Sequence, residues 1–94
     1  MMKTHLVFRL HALLRMRERA ISVDEVSHAI RTGKEIENYP EDTPYPSRLV
    51  LGWTGARPLH IVVADNIKDR EIIVITVYEP ESKRWLPGFS RRKK

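Results

Sequence analysis

The spacing of apolar residues changes at Gly33, and that switch constrains the fold more than any other feature of this chain. Ahead of Gly33 the apolar residues recur every three to four positions, as they do along helices. Behind it they alternate or run continuously, as they do along strands. Such a chain predicts an α+β domain: two N-terminal helices packed on an antiparallel sheet of about four strands.

The second helix is marked most sharply. Ser22-Val23-Asp24-Glu25 is a capping box, in which the serine hydroxyl accepts from the Glu25 amide and the Glu25 carboxylate reaches back. Ile21 and Val26 form a hydrophobic staple around it, and Val23, Val26, Ala29 and Ile30 make one apolar stripe. Gly33 is expected to cap the other end, with Arg31 near the negative end of the dipole. The predicted helix covers 23–32. An earlier helix is expected over 10–19, with Leu10, Leu13, Leu14, Met16 and Ala20 on its apolar side. His11, Arg15, Glu18 and Arg19 lie on the other side, and Arg17 falls inside the apolar arc. His5 to Arg9 reads as a short strand or as an early turn of the same helix, the strand being favoured.

Strands are expected at 35–39, an edge strand guarded by its charges, and at 48–53, 57–64 and 71–78. The last holds five β-branched residues in succession, Ile72 to Thr76. Thr54-Gly55-Ala56 and Asp65 to Asp69 read as turns, so these strands should form a meander. Pro40 to Pro46 cannot continue a ladder and reads as a loop. The 94 residues suffice for one core, assigned to 1–88, with 89–94 as a basic tail.

Charge points to a partner class. The chain carries a net +5, of which Arg91, Arg92, Lys93 and Lys94 contribute four. A second excess lies in residues 1–19, where Lys3, Arg9, Arg15, Arg17 and Arg19 face Glu18 alone. A chain polarised this way suits RNA or an acidic protein. There is no cysteine, which fits a reducing compartment and a cytoplasmic protein. No apolar run is long enough to span a bilayer, so no membrane role is expected. The histidines share no ligand spacing and no phosphate-binding glycine loop is present, so neither a metal nor a cofactor is expected.

One constellation carries chemistry. His11, Arg15 and Arg19 share a helix face, while His60, Thr76 and Tyr78 are polar groups in apolar strands, with Arg57 opening the His60 strand. These groups converge on a basic, histidine-bearing cleft if the helix lies beside those strands. Alternatively the arginines are a solvated face, His60 a satisfied sheet histidine and Tyr78 a core edge.

The run from His11 to Ser22 (HALLRMRERAIS) resembles the HAxxRMxERGIS opening of a family of small, uncharacterised bacterial and archaeal proteins. That family groups with the RelE and BrnT toxins of toxin–antitoxin systems. Gly33, Gly55-x-Arg57-Pro58-Leu59-His60, Ile75-Thr76-Val77-Tyr78-x-Pro80 and Trp85 extend the resemblance over about residues 10 to 87. Ala20 stands where the pattern has glycine, which predicts that the corner there needs no positive φ. The resemblance implies a RelE-like fold and a metal-independent mRNA endoribonuclease, with ribosome-bound mRNA among its targets and an antitoxin as protein partner. In that reading His11, His60 and Tyr78 are catalytic, and Arg15, Arg19, Arg57 and Thr76 bind the substrate. The rival reading is a module that binds RNA or protein and cleaves nothing.

Overall fold

The computed structural model describes residues 4–93. Its elements follow in the order β1 (His5–Phe8), α1 (Leu10–Glu18), α2 (Val23–Thr32), β2 (Lys34–Tyr39), β3 (Ser47–Thr54), β4 (Arg57–Asn66) and β5 (Glu71–Tyr78). They form one five-stranded sheet in the order β1-β5-β4-β3-β2. The chain is therefore α+β, but the expected antiparallel sheet of about four strands behind two leading helices is overturned. β1 precedes the helices and pairs in parallel with β5, from His5 opposite Glu71 to Phe8 opposite Val74, so the sheet is mixed. A parallel partner lying most of the chain away leaves no hairpin signal in the sequence. The β2–β3–β4–β5 meander is antiparallel throughout.

Each helix follows its local signals up to a point. In α2 both bonds of the capping box form, Ser22 N–H to Glu25 Oε1 at 2.9 Å and Glu25 N–H to Ser22 Oγ at 3.0 Å. Gly33 closes that helix in an extended conformation, φ −80°. Its small size matters more than its flexibility, since a Cβ there would lie 2.4 Å from the carbonyl oxygens of Ala29 and Leu51. Gly52 admits α2 for the same reason, a Cβ falling 2.8 Å from the Ala29 Cα. At the end of α1 the Ile21 amide donates to Met16 O at 2.8 Å and the Ala20 amide to Arg17 O at 3.3 Å. Those two bonds make a Schellman motif, with Ile21 and Met16 meeting in the core. Ala20 sits at φ +54°. The corner thus does require the left-handed region, contrary to the expectation drawn from its alanine.

The helices share one face of the sheet. Ala12, Met16, Ile21, Val26 and Ala29 pack on Val50, Leu59, Ile61, Val63, Val74 and Val77. α1 packs on β5, near the sheet margin, while α2 packs on β3 and β4. That marginal position leaves α1 only a narrow buried stripe. Ala12 and Met16 are buried, but Leu10, Leu13 and Leu14, expected on the buried side, remain exposed.

Residues 79–93 turn back beneath the other face. Trp85 and Arg92 form a bridge, tightened by Leu86 N–H to Arg91 O and Lys93 N–H to Arg84 O, both 2.8 Å. Residues 89–93 are thus folded against the domain and do not form a free basic tail. Lys94 lies outside the described residues. Among the described residues no helix is long and apolar enough to cross a membrane.

Candidate nucleic-acid interface

Register decides which face each strand residue serves. His60 lies between Leu51 and Tyr78, directly opposite both, whereas its neighbours Leu59 and Ile61 belong to the helix-side core. Alternation along the strand therefore aims His60 away from the helices. There it meets the returning C-terminal segment. Its Nε2 lies 2.8 Å from the carbonyl oxygen of Phe89. A carbonyl only accepts, so Nε2 carries the hydrogen. Nδ1, 3.3 Å from Tyr78 Oη, then accepts from the phenol. Trp85 packs edge-on against the imidazole with centroids 4.3 Å apart.

His60 is 0% exposed. Burial pushes its pKa down and pushes that of Tyr78 up, so both are neutral at pH 7. Of the alternatives weighed from the sequence, the satisfied sheet histidine describes this geometry. His11 is exposed on α1, on the helix-bearing side of the sheet. The two histidines point to opposite sides, and no surface is shared by both. The convergence of His11, Arg15 and His60 expected from the sequence does not occur, because alternation in β4 turns His60 away from α1.

Arg57 is drawn into structure as well. It donates from Nε to Glu79 Oε1 at 2.7 Å and from its terminal nitrogens to the carbonyls of Arg19 and Ala20. Those carbonyls belong to the C-terminal turn of α1, where unsatisfied acceptors and the negative dipole end favour a cation. Arg15 is exposed and reaches Glu18 at 3.6 Å. Thr76 is half-buried opposite Val62, two residues before Tyr78.

His60 meets Tyr78 and Arg57 meets the Arg19 carbonyl, but only two of the seven expected residues line a common cleft. Arg19, from the end of α1, and Tyr78, from the end of β5, line a cleft of about 390 Å³ with Glu79, Glu81, Arg84, Trp85 and Arg92. β1 makes this possible by pairing only with residues 71–74 of β5, so among the described residues no strand pairs with the outer edge of its second half. The wall opposite α1 comes from the C-terminal segment. Arg92 stacks 4.8 Å from the Trp85 ring centre and holds Glu37 with two bonds, Nε–Oε2 2.7 Å and Nη2–Oε1 3.0 Å. The pairing raises the pKa of Arg92 further and holds the Glu37 carboxyl below its usual range. Tyr39 donates to the same carboxylate.

Sequence reasoning missed Arg84 and Arg92 as site residues and gave Trp85 no role. The available signal was a tryptophan set among Lys83, Arg84 and Arg91 to Lys93, of which only 89–94 reads as a basic tail. Glu79 and Arg57 neutralise one another, as do Glu37 and Arg92, leaving Arg19 and Arg84 exposed beside Glu81. The arrangement can grip a phosphate and lay a ring against a base. Among the described residues no cluster of three or more histidine, aspartate or glutamate side chains is placed to hold a metal.

No curated protein and no solved structure matches this chain. A family model described as a domain of unknown function (DUF4258) does match, over residues 8–79, and the chain belongs to that family.

Proposed function

We propose that this chain is a cytoplasmic, non-catalytic RNA-binding module. The observation that carries this reading is the cleft in which Arg19, Arg84 and Arg92 stand around Tyr78 and Trp85. Arginine forks suit phosphate oxygens, and a partly exposed phenol suits a splayed base, a combination typical of single-stranded RNA sites. The cleaving reading, an mRNA endoribonuclease toxin masked by an antitoxin, needs a base and an acid on one phosphate. With His60 enclosed and His11 across the sheet, the arrangement favours binding without cleavage.

The test is titration of a fluorescently labelled single-stranded oligoribonucleotide at several salt concentrations. Contact with about three to five phosphates predicts a log–log salt slope of about −2 to −3.5. Arg84→Ala and Arg19→Ala should each weaken binding several-fold, and incubated RNA should stay intact. Cleavage that disappears in His11→Ala, with growth arrest on expression in bacteria, would reinstate the toxin. Binding that ignores both arginines and salt would overturn the cleft.

A further inference from the structure

The surface of α1 divides into three sectors at about 100° per residue. Ala12 and Met16 face the core, and His11, Arg15 and Arg19 form a polar flank. Between them, on the outward side, stand Leu10, Leu13 and Leu14, exposed by 72%, 40% and 49%. Arg17 lies in the middle of these leucines, exposed and, among the described residues, with no carboxylate in ion-pair reach. A lone exposed leucine is ordinary, but three at i, i+3 and i+4 around an unpaired arginine form a surface arranged for contact.

We propose that this leucine face docks an acidic amphipathic helix of a partner protein. The leucines offer the short apolar seam that a helix of about equal length can cover, and charge selects the occupant. Arg17 within the seam and Arg15 beside it call for carboxylates on the partner. A second copy of this chain does not supply them. In a two-fold interface each residue meets another residue of the same patch, and the patch of Leu10, Leu13, Leu14 and Arg17 holds no carboxylate. The helix has one acidic residue, Glu18, already beside Arg15. The chain's own acidic stretch, Glu35 to Asp42, belongs to β2 and the loop after it, at the sheet edge opposite β1. It lies far from α1, which packs on β5. The surface is distinct from the RNA cleft, so either proposal can fail without the other.

The probe is a labelled 18-residue helical peptide with leucines along one seam and glutamates beside it, read by fluorescence anisotropy. A control peptide replaces every glutamate with lysine. The glutamate peptide should bind the wild-type protein and the lysine peptide should not. Leu14→Ser should weaken binding at least tenfold while leaving RNA affinity and thermal midpoint nearly unchanged. Arg17→Glu should exchange the preference, losing the glutamate peptide and gaining the lysine one. Arg84→Ala should leave peptide binding unaltered. The proposal is overturned if the glutamate peptide does not bind, or if both peptides bind equally. It is overturned too if Leu14→Ser abolishes a dimer seen by sedimentation, or binding to anionic vesicles, in place of peptide binding.

Discussion

Replacing His60 by leucine separates a structural histidine from a chemical one. Leucine retains apolar bulk but gives nothing to the Phe89 carbonyl or the Tyr78 hydroxyl, both now bonded to the imidazole. An unpaired buried acceptor costs about 1–3 kcal/mol. Loss of the edge-on contact with Trp85 adds about 0.5–1.5 kcal/mol. His60→Leu should therefore be about 2–4 kcal/mol less stable at pH 7.5. The effect should also depend on pH. Burial holds the folded-state pKa of His60 below its ordinary value of 6.5. Between that lowered value and 6.5 the unfolded chain binds a proton that the folded chain does not. Stability therefore rises with pH across this window, and is lost as pH falls below 6.5, by at most about 1.4 kcal/mol per pH unit. The leucine variant lacks this dependence. Urea unfolding of both proteins at pH 7.5, 6.5 and 5.5 measures it, the wild type weakening from 6.5 to 5.5 and the variant holding steady. Equal stabilities, or an acid slope that survives in the variant, would refute the placement of His60 as the lock on residues 79–93.

Other outcomes follow from single positions. Ala20→Gly should stabilise the domain: the left-handed conformation costs alanine about 1–2 kcal/mol, and the added freedom of glycine when unfolded offsets part of it. A net gain of about 0.5–1 kcal/mol, or several degrees in thermal midpoint, is expected by differential scanning calorimetry. Ser22→Ala removes the acceptor for the Glu25 amide and should cost about 1 kcal/mol in chemical denaturation.

Much of the fold was legible because its signals are local. The capping box of α2, the staple at Ile21 and the alternation in β3 and β4 act between residues a few positions apart. Neighbouring strands in the meander need only short turns to find one another. Three features depended on contacts that no short window contains. β1 takes its partner from the far end of the chain. α1 rests on β5 near the sheet margin, so its leucines face outward and Ala12 and Met16 serve the core. His60 acquires its meaning from residues that follow it by eighteen positions or more, Tyr78, Trp85 and Phe89, which enclose it.

The candidate site divides the same way. The sequence by itself determined that the front and the end of the chain are basic, and that histidine, threonine and tyrosine interrupt apolar strands. It could not assign those groups to a face, because a strand alternates between two surfaces and only packing decides which is covered, and by what. Tertiary structure sent His11 and His60 to opposite sides and spent Arg57 on the carbonyls ending α1. It brought Arg19 to Tyr78 and folded the supposed tail under the sheet, where Arg84 and Arg92 complete the cleft. Sequence spacing carries the local geometry of backbone and side chains; which charges meet depends on burial, and burial is a property of the whole fold.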